Sequence, residues 1–523
     1  MNRNSLNLFV VGLLTWGILS SPSSLFAQAV PFSPETLEDV KDALESVIDG
    51  NAKFPNAGVT VSGKLNLVGA ATIPGKELFE KVWEPGKPLH DGADGIGPLF
   101  NERSCVACHS QGGIGGGGGV DKNVDILSFQ KRATPSQLTR LTDYHSGFRS
   151  PTNGFLKSIV LHRFGLDRGL SYDEYSEKRD AVLGNHVSFD TSEMDVKRLQ
   201  RMLETKPRQT VVVKDDIPMI HTQRNSTALF GAGLIDRIPG SAIVAEAIRQ
   251  EKSGKVSGRP AQLRNRTGLG GVFAVGKFGW RAQQATLVDF VEGACAVELG
   301  LDTGRQRQAT DPRRPNYRSR KADLTHMDVM GLAKFVSSLE KPRESVSANH
   351  SIVERGRMLF DSVGCADCHL PKLAEVEGIY SDLLLHDMGK SLADPAPARD
   401  ALERHATVFH QMIAAQEKNP MNRARFVTSD GVTLANYYGF ETERLNPIVD
   451  LEVREREWRT PPLWGVADSA PYMHDGRAGT LTEAIAYHDG ESKTSKINFL
   501  KLATADQKAL LAFMGNLKAP KKN

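Results

Sequence analysis

The chain has 523 residues, more than one ordinary core holds at roughly 100–200 residues per domain, so two domains are expected. Its 65 basic and 62 acidic side chains nearly cancel to a net charge of +3, which excludes the polycation expected of a nucleic-acid binder and gives no reason to expect an anionic membrane as partner. A hydrophobic fraction of 40% excludes a largely disordered chain.

At the N-terminus Arg3 precedes an apolar run from Leu6 to Ile18, followed by Ser and Pro and by Ala27-Gln28-Ala29. This is the pattern of a secretory signal peptide over residues 1–29, and the run is shorter than the roughly 18 residues of a membrane span. The mature protein is therefore expected in the periplasm or secreted, with no membrane span after signal cleavage. Residues 30–75 read as an N-terminal extension.

Four of the five cysteines fall in Cys105-Val106-Ala107-Cys108-His109 and Cys365-Ala366-Asp367-Cys368-His369, two copies of the C-x-x-C-H pattern through which c-type haem is attached. Two cysteines three apart on a helical turn share a face and can each form a thioether to the porphyrin, and the adjacent imidazole can bind the iron. Neither copy has a second Cys or His pair at zinc-finger spacing, and no βαβ pattern supports a thioredoxin-like reading. Two covalently bound haem c groups are the expected cofactors. Cys105, Cys108, Cys365 and Cys368 are the attachment residues, with His109 and His369 as iron ligands.

Each motif follows an apolar pair, Leu99-Phe100 after Pro98 and Leu359-Phe360, which suggests an internal repeat of one haem-binding unit. The glycines Gly113 to Gly118 match G-x-G-x-x-G, but they follow a haem motif instead of a strand, so a loop passing close to the haem is expected and a nucleotide is not. Residues 156–203 form a charged, helix-prone insertion, and Thr210 to Val213 is a β-branched run fit for a strand. Cys295 reads as a buried free thiol. The basic stretch from Arg305 to Lys321 reads as a solvated loop, with an acidic redox partner as the alternative.

A helix is expected from Leu324 to Leu339, ending before Pro342, and places a boundary between an N-terminal haem domain over 76–343 and a C-terminal one over 344–523. The chain closes on an amphipathic helix between Thr504 and Leu517. The fold class is thus mainly α: two cytochrome c-like haem domains with long irregular loops and an enlarged N-terminal unit.

What occupies the sixth position of each iron decides between an electron relay and an open, reactive site. Near the second motif His386, Met388, Met473, His474 and His488 are candidates; for the first, His162, His221 and Met219 are available, none of them well placed by sequence. Peroxide cleavage also needs a group that moves a proton, for which Glu298 and Glu292 are candidates, while Trp280 is expected near or between the haems.

Trp458-Arg459-Thr460-Pro461-Pro462-Leu463-Trp464, Ala470-Pro471-Tyr472-Met473-His474-Asp475-Gly476 and Thr480-Leu481-Thr482-Glu483-Ala484-Ile485 resemble the C-terminal signature of bacterial di-haem cytochrome c peroxidases and of the methylamine dehydrogenase maturation enzyme. Tyr380 to Gly389, Gly276 to Trp280 and Phe230 to Ile235 resemble the thiol oxidoreductase-like di-haem oxidoreductases. The resemblance runs from about Gly75 onward. It places His488 where the peroxidases carry the axial methionine of the C-terminal haem, which implies His369 and His488 as an axial pair of lower potential than His/Met. It implies an exported oxidoreductase that couples electron transfer to peroxide reduction or substrate oxidation at one haem. The expected partners are a small redox protein and peroxide or a small-molecule substrate. A non-catalytic periplasmic electron carrier and an oxidant of a partner protein are the alternatives.

Overall fold

The computed structural model describes residues 73–129, 134–148, 158–166, 175, 179, 210–214, 217–264, 273–309, 311, 314, 316–345, 349–394 and 451–520. The signal segment, the extension up to residue 72 and most of the 156–203 insertion lie outside them. All the described residues belong to one contact-dense unit. No helix among them is long and apolar enough to cross a membrane.

Two helix pairs organise this unit. Gly75–Glu80 packs on His326–Ser338, and His350–Ser362 packs on Thr504–Met514. The two pairs are built alike. In the first, a methyl group on Gly75 would lie 2.0 Å from the carbonyl oxygen of Gly331, so the backbones touch where they cross; in the second, a methyl on Gly356 would lie 2.0 Å from the carbonyl of Ala509. Four residues beyond each crossing, Phe79 meets Phe335 at 5.2 Å between ring centroids and Phe360 meets Phe513 at 5.4 Å. Both Phe79 and Phe360 also stand 6.4 Å from the histidine of their own motif, His109 and His369. The repeat is therefore real but its first copy begins at Gly75-Lys76-Glu77-Leu78-Phe79. Leu99–Phe100, which the sequence suggested, is instead a short strand paired with Phe164–Gly165.

The helix expected up to Leu339 is observed as His326–Ser338, opened by a capping box between Thr325 and Asp328. The final helix runs from Thr504 to Met514 and buries Leu510, Phe513 and Met514. The expectation of a mainly α fold needs correction. The described residues include a four-stranded antiparallel sheet, in the order Ser158–Leu161, Val124–Phe129, Ile217–Arg224 and Thr210–Lys214, and five two-stranded ladders that join connecting segments. Two strands fall where the sequence suggested helix, Ser158–Leu161 in this sheet and Phe164–Gly165 in the ladder with Leu99–Phe100, because alternate side chains there are buried and pairing satisfies the backbone. The run at Thr210 does form its strand.

Most of the buried apolar residues among those described gather in two clusters. The smaller contains Val353, Phe360, Phe499, Leu510 and Phe513 under the second helix pair. The larger surrounds the first pair and also takes in Leu373, Ile379, Leu384 and Trp464 from beyond residue 344, so the two haem-motif regions are packed into each other.

Candidate functional site

At the first motif the Ser104 hydroxyl accepts the Ala107 N–H at 3.3 Å and starts the one-turn helix Cys105–Cys108. The His109 Nδ1–H points to the Gly116 carbonyl at 3.2 Å, and the Thr227 backbone is a second hydrogen-bond partner of the ring. The Gly116 acceptor explains the glycine loop. Its backbone folds back on the motif, with Gln111 paired to Gly117 and the Gly115 N–H on the His109 carbonyl at 2.9 Å.

The second motif repeats the arrangement. Gly364 adopts φ +95° to turn the chain into Cys365–Asp367, and the His369 Nδ1–H donates to the Tyr380 carbonyl at 2.9 Å. Burial keeps the imidazoles of His109 and His369 below their ordinary value, His369 at about 4, so both are neutral. Burial also pushes the Cys105, Cys108 and Cys365 thiols up to about 12. A zinc site or a redox dithiol works through thiolates, which these surroundings oppose; a thioether carries no charge and is suited to them.

His488 ends the helix Leu481–Tyr487, whose capping box of Thr480 and Glu483 fixes its register. Its Nδ1–H donates to the Ala484 carbonyl at 2.7 Å, and its ring faces that of His369 with 6.4 Å between centroids. A metal–imidazole bond is about 2 Å, so two such bonds with the ring radii between them span about 6 Å. The pair has the separation of two imidazoles on either side of one metal ion.

The other candidates near this motif are engaged elsewhere. His386 donates from Nε2 to Asp382 at 2.8 Å and from Nδ1 to Glu491 at 2.9 Å. Burial opposes its protonation, but the Asp382 carboxylate overrides it and raises the imidazole well above its ordinary value. With both nitrogens protonated it has no lone pair to give a metal, although Cys368, Asp382 and His386 come together. His474 stacks on Trp458 at 3.8 Å, with Nε2 3.3 Å from Asp394. Met388 and Met473 line the same cavity as His369 and His488 but have no facing role in the geometry.

That cavity supplies the test of fit for a haem. Its walls include Phe360, Leu463, Trp464, Leu481, Ile485 and Met514 beside Cys365, Cys368, His369 and His488. The charged side chains on it are Lys277, Arg459, Lys496 and His386, and no Asp or Glu is among its described lining residues. Apolar walls with cationic groups match an apolar macrocycle bearing carboxylates. Neither Arg459 nor the Trp458–His474 stack was singled out for a role from sequence; the Trp-Arg-Thr-Pro-Pro string drew attention only as a signature.

The cavity reaches the first motif through its wall. Trp280 lines it and donates its indole N–H to the Asn225 carbonyl at 2.9 Å, while the Asn225 amide donates to the Gly118 carbonyl at 2.9 Å in the glycine loop. Gly118 and Leu229 add N–H bonds to the Ser226 and Gly115 carbonyls, at 3.1 Å and from Leu229 at 2.7 Å.

Around the first motif, the expected ligand alternatives are tied down. His162 Nε2 lies 2.9 Å from the Val297 carbonyl, His221 Nε2 is 2.8 Å from Asp125, and Met219 is fully buried in the four-stranded sheet. The described ring neighbour of His109 is Phe79. Glu292 is buried and serves structure, accepting from Thr303 at 2.8 Å and pairing with Arg305 at 2.5 Å. Glu298 differs. It closes the helix Leu287–Glu298, accepts the Asn101 amide at 2.6 Å and is close enough to Cys108 to raise its thiol. Burial lifts its own carboxyl to about 6. Cys295 is buried, as expected.

A family model described as "Di-haem oxidoreductase, putative peroxidase" matches residues 446–517. Among curated proteins, cytochrome-c peroxidase IdrP1 of Pseudomonas sp. (strain SCT) is 30% identical over 167 residues, 31% of this chain and 38% of that protein. Hydrazine synthase subunit gamma of Kuenenia stuttgartiensis is 26% identical over 179 residues, 33% of this chain and 44% of that protein. The chain thus spans about two fifths of the length of these curated relatives. Among solved structures, a MauG-like protein associated with microbial copper homeostasis aligns at 15% identity over 46% of this chain and 68% of that one, with a TM-score of 0.24. The segment matched by the family model contains His488, Arg459 and the Trp458–His474 stack, so it is over these residues that the chain is similar to the di-haem oxidoreductases.

Proposed function

We propose that the protein is an exported di-haem c-type oxidoreductase in which the second haem relays electrons and the first reduces peroxide or oxidises a small substrate. The facing of His369 and His488 across 6.4 Å, each with Nδ1 tied to a backbone carbonyl, carries this reading. In it the two helix pairs are the frames of two cytochrome c-like units. Cys105 and Cys108 with His109 would hold one haem, and Cys365 and Cys368 with His369 and His488 would hold the other. Bound haem supplies the one-electron chemistry, and ligand identity and burial set its potential.

The chain's own residues divide the remaining work. Fixed Nδ1–H bonds hold each imidazole in the tautomer that offers Nε2 to iron. Two histidines saturate the second site, which suits a relay. At the first site Glu298, with its carboxyl at about 6, is placed to take up and return a proton near neutral pH. Trp280 stands in the wall between the sites. A small redox protein would exchange electrons with the relay.

Electron paramagnetic resonance of the purified ferric protein tests this directly. One low-spin and one high-spin haem are expected, the latter shifting on addition of cyanide or peroxide. His488→Ala should convert the low-spin signal to high spin. Two low-spin haems that ignore both additions, even after half-reduction, would instead establish a non-catalytic carrier.

A further inference from the structure

Arg459 is a buried arginine that forms no ion pair among the described residues. Its residue is 6% exposed, it lines the cavity, and burial brings its guanidinium down to about 10 while leaving it protonated at neutral pH. Its recorded bonds go to backbone carbonyls: Nε to Gly279 at 2.9 Å and one terminal nitrogen to Thr460 at 3.4 Å. A guanidinium offers five N–H donors, so the remaining ones face the cavity or its wall. The carboxylate that acts on it, Asp382, makes its three hydrogen bonds to other groups and none to Arg459. One oxygen accepts the Leu384 N–H at 2.9 Å, and the other accepts Gln250 at 2.7 Å and His386 at 2.8 Å. Glu457, two residues away, is held in a two-bond pair with Arg259. A buried cation without an ion-pair partner is costly unless a ligand completes it, and a planar fork is matched by a carboxylate.

We propose that Arg459 binds a propionate carboxylate of the haem attached at Cys365 and Cys368, and so anchors that haem to the segment between the two sites. The inference rests on the reading of this cavity as a haem site. The anchor is directional. The Arg459 backbone N–H donates to the Trp280 carbonyl at 2.9 Å and its Nε to Gly279, so the residue that grips the propionate is bonded twice to the Gly279–Trp280 turn. A propionate held there places the haem edge beside the tryptophan that leads toward the first motif.

The test is the reduction potential of the six-coordinate haem, followed by its absorption in a spectroelectrochemical titration. A cation beside a haem favours the ferrous state, so Arg459→Gln should shift the reduction equilibrium at least about tenfold toward ferric, equal to a fall of 59 mV for one electron. Arg459→Lys, which keeps the charge, should recover most of it. Asp382, His386, Lys277 and Lys496 also face this region, and each is left in place in these variants. Haem content by pyridine haemochrome is measured first. A wild-type protein with no covalent haem at the second motif would overturn the haem reading itself. Full haem content with an unchanged potential in Arg459→Gln would overturn only the anchor. If that variant does not accumulate, the wild-type potential decides: an ion-paired propionate stays ionised, so the potential should be flat between pH 5 and 8, and a slope near 59 mV per pH unit there would overturn the proposal.

Discussion

Glu298 shows how one side chain can link stability to chemistry. Burial raises its carboxyl to about 6, against the opposing hydrogen bond from Asn101, so the fold disfavours its ionised form. The resulting penalty is absent below the unfolded value near 4.5, grows as pH rises toward 6 and is complete above it. Glu298→Gln should therefore be more stable than the parent at pH 7.5 by about 1–2 kcal/mol and no more stable at pH 4, as read from denaturant midpoints at the two pH values. The same substitution should slow peroxide turnover by about 10²–10⁴-fold and remove the acid limb of the pH–rate profile near pH 6. A variant with unchanged turnover would remove Glu298 from the chemistry and leave it a buried structural acid. Proximity to Cys108 had no signal in the sequence, because the two residues lie on separate helices joined only by the fold.

At the scale of elements, the helix crossings set the frame for each motif. Gly356 has no room for a side chain, so Gly356→Val should cost about 1–3 kcal/mol or more through overpacking and should displace Phe360 from His369. Gly304→Ala, where nothing lies within 4 Å, should be neutral in the same thermal-unfolding measurement. The C-x-x-C-H strings and the two closing helices were legible because their chemistry or periodicity is local. The first copy of the repeat was not. Phe360 stands 5 positions before Cys365, whereas Phe79 stands 26 before Cys105, and the intervening loop supplied a nearer Leu-Phe pair that folds as a strand. The strands near residue 160 were missed for a related reason, since their partners Val124–Phe129 and Leu99–Phe100 are remote in sequence. His488 was reached through family resemblance and is placed opposite His369 by the fold, while His386 has both ring nitrogens engaged by carboxylates.

Across the whole molecule, the expected division at residue 343 is crossed by one apolar cluster, and the two motifs share a wall. Trp280 lines the cavity of the second motif and is bonded to Asn225, whose amide reaches the glycine loop of the first. Trp280→Phe keeps an aromatic ring but removes the indole N–H to Asn225, a bond worth about 1 kcal/mol. Electron re-equilibration between the haems after flash photolysis of the half-reduced protein should slow, with the absorption spectrum of each haem preserved. Equal rates would assign the route to other atoms.

The strip from Asn225 to Phe230 has one edge stitched to the glycine loop behind His109 and the other forming part of the cavity around His369 and His488. A shift of that strip would therefore be felt at both motifs. One substitution that loosens this strip should thus disturb two distant imidazoles at once, a coupling that separate changes within either loop would lack.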